Sequence, residues 1–136
     1  MTDAYAEQLR RRLADLARAV EVSDDIACAD LGRAYLAHLA LRVKTAGTLA
    51  RLAMNETPGP EVSVDKVLLA TAEQTVLDAG RRIHLPSFSF GASTGAQVLR
   101  SDWFYTRAAS IYGGSAEVQR SILADHVLRL PREAKA

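Results

Sequence analysis

The sequence predicts an all-α protein, an antiparallel helical bundle of four to five helices that forms a single domain over residues 1–136. Apolar side chains recur every three or four residues in successive segments, and no run alternates apolar and polar residues as a half-buried strand would. The segments are separated by breaks that contain proline or glycine. Helices joined in this way bury their apolar stripes against one another, which is the architecture of a bundle.

The first helix is predicted from Tyr5 to Val20, where leucines at helical spacing form one apolar stripe: Leu9, Leu13 and Leu16. Ser23, Asp24 and Asp25 then form a capping cluster. They open a second, longer helix from Ile26 to about Met54, with apolar positions at Ile26, Leu31, Tyr35, Leu39, Leu41, Val43, Leu49 and Leu52.

Two glycines, Gly32 and Gly47, fall inside the second helix. Glycine in a helix interior costs about 1 kcal/mol relative to alanine. Each is therefore expected to mark a place where another helix approaches closely.

The middle of the chain contains a clear break at residues 55–60, with the sequence NETPGP. Ser63 is expected to cap the third helix, which runs to about Arg82. The segment 83–95 is predicted as a loop of about a dozen residues, because it contains a proline, two glycines and several hydroxyl side chains. A fourth helix follows over residues 96–111, and Trp103, Phe104 and Tyr105 in it are expected in the core.

The last helix, residues 116–129, follows a break at Gly113 and Gly114, whose backbone can adopt conformations closed to other residues. Ser115 is placed to accept hydrogen bonds from the first turn, and Glu117 suits the positive end of the helix dipole. Pro131 ends the segment. A polar helix N-terminus of this kind can hold a ligand, and a well-capped corner between two helices is the alternative interpretation.

Composition argues against several classes of function. Seventeen basic and sixteen acidic residues leave a net charge of +1, so neither a nucleic acid nor a membrane surface is an expected partner. The N-terminal residues lack the apolar core of a signal peptide, and the single Cys28 cannot form an internal disulfide, which fits a soluble cytoplasmic protein. His38, His84 and His126 lack the spacing of metal ligands, and no metal site is expected.

Two sequence stretches carry a resemblance to a known family. IYGGSAEVQR at residues 111–120, followed by VLRLPRE at residues 127–133, resembles the C-terminus of the acyl-CoA dehydrogenases. PGPEVSVDKVLL at residues 58–69 resembles the entry into the next-to-last long helix of that family. The resemblance covers most of the chain, and it concerns only the family's C-terminal helical domain. The helical N-terminal domain and the central β-domain of the family have no counterpart here.

The resemblance implies specific roles at the glycine break. Gly113 occupies the position at which many members carry the glutamate that removes the α-proton of the acyl thioester, and glycine cannot accept a proton. Gly114, Ser115 and Glu117 match positions that touch the flavin in the family. The region that matches the family's contact with the adenine of FAD is the segment 83–95, which lacks the glycine pattern. FAD is therefore expected only as part of a larger assembly.

The catalytic residue stays unknown at this stage. Other members of the family place the base on the first long helix of the domain, where this chain offers Glu7, Asp15 and Glu21, all in unsuitable charged or terminal surroundings. Asp102 and Tyr105, beside the polar segment 83–95, are the remaining acid–base candidates.

Three functions are compatible with these observations. The first is a partner subunit or one half of a split flavoenzyme that desaturates an acyl thioester, as a homo- or hetero-oligomer with an acyl-CoA dehydrogenase-type chain. The second is a stand-alone helical enzyme that needs no flavin and acts on a thioester or a polyketide-like substrate. The third is a non-catalytic oligomerisation domain.

Overall fold

The computed structural model describes residues 2–131, with side chains from residue 6 onward, and this part of the chain is all-α with no strand, as predicted. The helices that carry the fold are α1 (Thr2–Ala19), α2 (Asp25–Ala53), α3 (Val62–Ile83), α4 (Leu85–Phe90), α5 (Thr94–Thr106) and α6 (Ala116–Ile122). A 3₁₀ turn, Arg107–Ser110, follows α5, and a π-helical turn, Leu123–Val127, follows α6.

The bundle is built around α3, which contacts α1, α2, α5 and α6. Its buried stripe consists largely of small residues, so its neighbours approach the backbone closely. Gly80 shows this directly, since a Cβ atom added there would lie 3.4 Å from Leu99 of α5 and 3.7 Å from Leu16 of α1. The predicted stripe of α1 completes the core, because Leu9, Leu13 and Leu16 are all buried.

The capping prediction at the start of α2 is confirmed. Asp24 is the N-cap, and its carboxylate accepts a hydrogen bond from the Ala27 N–H at 2.9 Å. The 29-residue helix then runs to Ala53, and the Met54 N–H bonds back to Ala50 and Arg51.

Most of the apolar positions of α2 are not buried. Of the predicted apolar positions, Leu41 is buried and Leu31 is half-buried, while the others are exposed: Ile26, Tyr35, Leu39, Val43, Leu49 and Leu52. The stripe that packs inward is instead Asp30, Ala34, His38, Leu41 and Thr45. Since α2 carries apolar residues around most of its circumference, periodicity alone does not decide which side meets α1 and α3.

The two glycines of α2 do not mark close approaches within this chain. A Cβ atom added at Gly32 or Gly47 would meet nothing within 4 Å. The close approach lies at Gly80 on α3, which the sequence analysis did not single out.

The start of α3 differs from the prediction. Ser63 does not cap α3, because the helix already begins at Val62 and Ser63 is buried within its first turn. The preceding Glu61 accepts a hydrogen bond from the Gly59 N–H at 3.2 Å and pairs with Arg51, which fixes the turn at the end of α2.

The predicted loop over residues 83–95 is also wrong. It contains the short helix α4, whose first turn holds Pro86, a position where proline costs no hydrogen bond. Helix α5 then begins two residues before the predicted start, with Ser93 as N-cap accepting from the Ala96 N–H.

The C-terminal part is shorter in regular α-helix than predicted. Helix α6 has seven residues and passes into the π-helical turn, and Leu128 and Leu130 beyond it are exposed. Phe104 and Tyr105, expected in the core, are exposed as well, and Trp103 is half-buried. The residues after Pro131 in the family-like ending lie outside the described residues.

Replacing Gly32 or Gly47 by alanine is expected to stabilise the protein by about 0.5–1 kcal/mol each. Both positions have open space for a Cβ atom, and alanine restricts the unfolded chain more than glycine does. Urea unfolding monitored by circular dichroism measures the change. The matched control is Gly80→Ala, where the new methyl group meets Leu99 at 3.4 Å and no comparable gain is expected. A loss of stability in Gly32→Ala at low protein concentration would contradict the open environment.

Candidate functional site

The glycine break forms the sharp corner that the sequence predicts. Gly113 and Gly114 have φ angles of +70° and +99°, in the region that side chains with a Cβ atom rarely adopt. The Ser115 hydroxyl accepts a hydrogen bond from the Val118 N–H at 3.3 Å, so its capping role is confirmed. The Gln119 amide reaches back to the Gly113 carbonyl at 3.5 Å, which closes the corner.

The side chain of Lys66 lies beside Gly113, the position that the resemblance matches to the family's catalytic glutamate. The Lys66 Nζ atom of α3 donates a hydrogen bond to the Ala109 carbonyl at 3.0 Å and lies 4.4 Å from the centre of the Tyr112 ring. A Cβ atom added at Gly113 would lie 3.8 Å from Nζ. Lys66 is therefore the charged side chain that the structure places against Gly113.

The three positions matched to flavin contacts lie together at this corner. Besides Gly114 and Ser115, they include Glu117, whose side chain is 80% exposed. Hydrogen bonds from its own backbone N–H and from Ser115 lower the Glu117 pKa, so this carboxylate is ionised at neutral pH. Its negative charge interacts favourably with the positive end of the α6 dipole. Each of the two side chains thus has a local structural role at the start of α6.

A cavity of about 160 Å³ lies between α1, α3 and α5. Its lining brings together the two acid–base candidates, Asp102 and Tyr105, with Arg12, Glu73 and other side chains. Arg12 forms an ion pair with Asp102, which ties α1 to α5. Tyr105 is 68% exposed and stands at the edge of the cavity. The proximity of Asp102 and Tyr105 is therefore a feature of the structure, while their acid–base role stays a prediction.

Glu73 is the residue that sequence reasoning missed. It lies in the buried stripe of α3, is only 2% exposed and lines the same cavity. Burial, together with the negative charge of Asp102, raises the pKa of Glu73 to about 7, and the charge of Arg107 opposes this shift. A carboxyl group that titrates near neutrality beside a cavity is suited to proton transfer. The signal available in the sequence was a single acid within an otherwise apolar helical stripe, between Ala70 and Leu77.

The cavity and the glycine corner are neighbours. The rings of Tyr105 and Tyr112 lie 6.1 Å apart, so Tyr105 extends from the cavity to the corner. Burial raises the Tyr112 pKa, and the charge of Glu73 contributes to that shift. One side of α3 thus presents Lys66 to the corner and Glu73 to the cavity.

Two kinds of site have no counterpart among residues 2–131. No three side chains of histidine, cysteine, aspartate or glutamate cluster there as metal ligands would. No helix in this range is both long and apolar enough to cross a bilayer.

The fold and the site define a helical-bundle domain in which α6 follows a glycine corner. Acyl-CoA dehydrogenase IpdE1 of Mycobacterium tuberculosis is 35% identical to it over 133 residues, which cover 96% of this chain and 34% of that protein. Acyl-CoA dehydrogenase IpdE1 of Mycolicibacterium smegmatis is 58% identical over 33 residues, or 24% of this chain and 8% of that protein. No family model and no solved structure gives a significant match.

The chain is similar to an acyl-CoA dehydrogenase over almost its whole length, and it matches a helical part of that protein. It spans about a third of the length of the Mycobacterium tuberculosis relative.

Glu73→Gln is expected to remove a pH dependence of stability. The folded-state pKa of about 7 lies above the ordinary glutamate value of 4.5, so the native state favours the protonated acid. The stability that protonated Glu73 supports is complete below about pH 4.5 and is lost as the pH rises through 7. The uncharged glutamine should therefore raise the free energy of unfolding by roughly 1–3 kcal/mol at pH 8 and change it little at pH 4.5.

Urea unfolding of both proteins at the two pH values measures this difference. The control is Glu117→Gln, an exposed carboxylate with a lowered pKa, which should not show the same gain at pH 8. Equal stability of Glu73→Gln and the parent chain at pH 8 would show that Glu73 is ionised at no cost.

Proposed function

We propose that this chain is the helical part of an acyl-CoA dehydrogenase-type flavoenzyme, and that a second chain supplies the flavin-binding body. The assembled enzyme would desaturate an acyl thioester between its α and β carbons, in the cytoplasm. One observation carries this proposal. Nearly the whole of this chain matches a protein named acyl-CoA dehydrogenase, and the match covers about a third of that protein.

The need for a second chain is supported by the chemistry of the corner. Abstraction of an α-proton requires a base, and Gly113 has no side chain while the nearby Lys66 is a cation engaged with Ala109 and Tyr112. The base in this proposal therefore comes either from the partner or from another carboxylate of this chain.

The residues at the corner do not by themselves fit a flavin. The Ser115 hydroxyl already accepts the Val118 N–H, and Glu117 points into solvent. Helix α6 has only seven residues, and the glycine corner before it is largely exposed. A three-ring isoalloxazine needs enclosure on both faces, so the proposal gives this chain one edge of an FAD site at most.

Exposed apolar surface also supports a partner. Large apolar side chains are exposed on α2, on α5 and around α6, among them Tyr35, Leu36, Val43, Phe104, Val118 and Leu128. Contiguous apolar surface on a protein commonly marks an interaction site. The same surface would suit a homo-oligomer, and in that case the chain would act as a non-catalytic oligomerisation domain.

A second candidate function follows from the cavity around Glu73. A buried carboxyl group with a pKa of about 7, close to Asp102 and Tyr105, supports a stand-alone enzyme without flavin that acts on a thioester or a polyketide-like substrate. Turnover of an acyl thioester by the purified chain, abolished in Glu73→Gln, is the expected result for this candidate. No turnover by the parent chain would rule it out.

Co-expression separates the two candidates. We expect the chain to co-purify with a flavin-binding acyl-CoA dehydrogenase chain of the same organism, as a complex with the visible absorbance of a flavin and with acyl-CoA oxidation measured by an electron acceptor. The control is the flavin-binding chain expressed alone, which should lack this activity. A chain that remains a colourless monomer with every such partner would overturn the proposal.

A further inference from the structure

An open groove runs between α1 and α2. It consists of two adjoining concave regions, one of about 490 Å³ that includes Arg10, Ala14 and Gly32, and one of about 360 Å³ that includes Ala6, Arg42 and Val43. We call these six residues and the surface between them the α1/α2 groove. The two regions meet end to end, because Ala6 and Arg10 are one helical turn apart on α1.

The groove has the size of a helix. On α2 its lining extends from residue 28 to residue 49, which corresponds to roughly 30 Å of helix axis at 1.5 Å per residue. An amphipathic helix of about twenty residues would cover it, as in the helix-in-groove mode of recognition.

The floor of the groove is apolar and open to close approach. Gly32 has no atom within 4 Å of an added Cβ, so the backbone of α2 is accessible there. Tyr35 and Val43 along the same line of α2 are 55% and 67% exposed. Both are among the apolar positions of α2 that the sequence analysis names, and they face solvent in the isolated chain.

The charged residues that line the groove are both cations. Arg10 is paired with Glu7 at 2.7 Å on the α1 surface, whereas Arg42 has no ion-pair partner within 4 Å among the described residues. A guanidinium at the edge of an apolar groove, with no ion-pair partner among the described residues, favours a carboxylate on whatever covers it.

This charge argues against a second copy of the chain as the occupant. In a two-fold symmetric pair the same surface meets itself, so one interface would contain Arg10 and Arg42 of both copies, and no carboxylate in the described part of the chain lines the groove. Like charges placed together in an interface oppose association. The complementary surface therefore belongs to a different chain.

His38 provides a built-in reporter beneath this region. It is 3% exposed, and neither of its ring nitrogens has a hydrogen-bond partner among the described residues. Burial lowers the His38 pKa, the charges of Arg42 and Arg10 lower it further, and Glu7 opposes them. A carboxylate bound beside Arg42 would offset the arginine charge, so binding should raise the pKa of His38.

We propose that the α1/α2 groove is the docking site for an amphipathic helix of a different chain, whose apolar ridge fills the groove and whose carboxylates pair with Arg10 and Arg42. The existence of that chain rests on the proposed function. The groove itself can be tested without it.

The test uses two labelled helical peptides of about twenty residues as probes. Both carry the same leucine and alanine ridge, and one has glutamate flanks while the other has lysine flanks. By fluorescence anisotropy, the glutamate peptide should bind the full chain at least tenfold more tightly than the lysine peptide. Arg42→Glu should reduce or invert this preference. Gly32→Leu should lower the affinity for both peptides, because the leucine side chain would occupy the bottom of the groove.

Controls and a second readout keep the outcome decisive. Arg120→Glu, an exposed charge reversal on α6, should leave the preference unchanged, and circular dichroism verifies that each variant is folded. Arg42→Gln replaces Gly32→Leu if the latter does not fold. The glutamate peptide should also raise the His38 pKa, measured by NMR titration, and the lysine peptide should not.

Three results would overturn the proposal. In the first, both peptides bind with equal affinity and Arg42→Glu leaves both affinities unchanged. That result would show that the groove selects no acidic partner. A concentration-dependent dimer that Gly32→Leu abolishes would assign the groove to a second copy. Failure of the proposed function looks different, since peptide selectivity would persist while no flavin-containing complex forms. A flavin-containing complex that survives both Arg42→Glu and Gly32→Leu would reject the groove alone.

Discussion

Close packing against α3 is the constraint on which the rest of the bundle depends. The stripe around Ala72, Val76, Ala79 and Gly80 is almost fully buried, and α1 and α5 meet at Gly80 over Leu16 and Leu99. Because the residues of this stripe are small, the neighbouring helices lie close to one backbone, and any added volume must be absorbed by both of them. This geometry places Lys66, Glu73 and their surroundings on one helix and so sets the positions of the corner and the cavity.

Polar contacts add to this packing between α3 and its neighbours. Buried Asp30 of α2 accepts hydrogen bonds from Arg82 of α3 at 2.5 Å and from Arg33 at 2.9 Å. The Trp103 indole of α5 donates to Asp78 of α3 at 2.6 Å. Such buried pairs are satisfied only in one arrangement of the helices, so they specify the alignment of α2 and α5 on α3 even where their net contribution to stability is small.

The candidate site combines one part that was predictable and one part that was not. The corner follows from local chemistry, because two glycines, a serine cap and an acid within six residues leave few alternatives. The cavity depends on three helices that are far apart in sequence. Asp102 and Tyr105 are acid–base candidates because they follow the polar segment 83–95, and the structure shows that this segment contains α4. Glu73 gives no local signal beyond its place in an apolar stripe, since its shifted pKa comes from burial and from Asp102.

By itself, the sequence determined the helical class, the order and approximate limits of the long helices, the caps at Asp24 and Ser115, and the likeness to a flavoenzyme domain. These features depend on residues close together in the chain, where spacing and hydrogen bonding act directly. Only the tertiary structure decided which side of α2 is buried, that Gly80 rather than Gly32 or Gly47 is the close contact, and that Glu73 lies in a cavity. Those properties depend on which surfaces meet. Apolar residues recur along a helix with the same spacing whether they face the chain's own core or an exposed surface that another chain could cover.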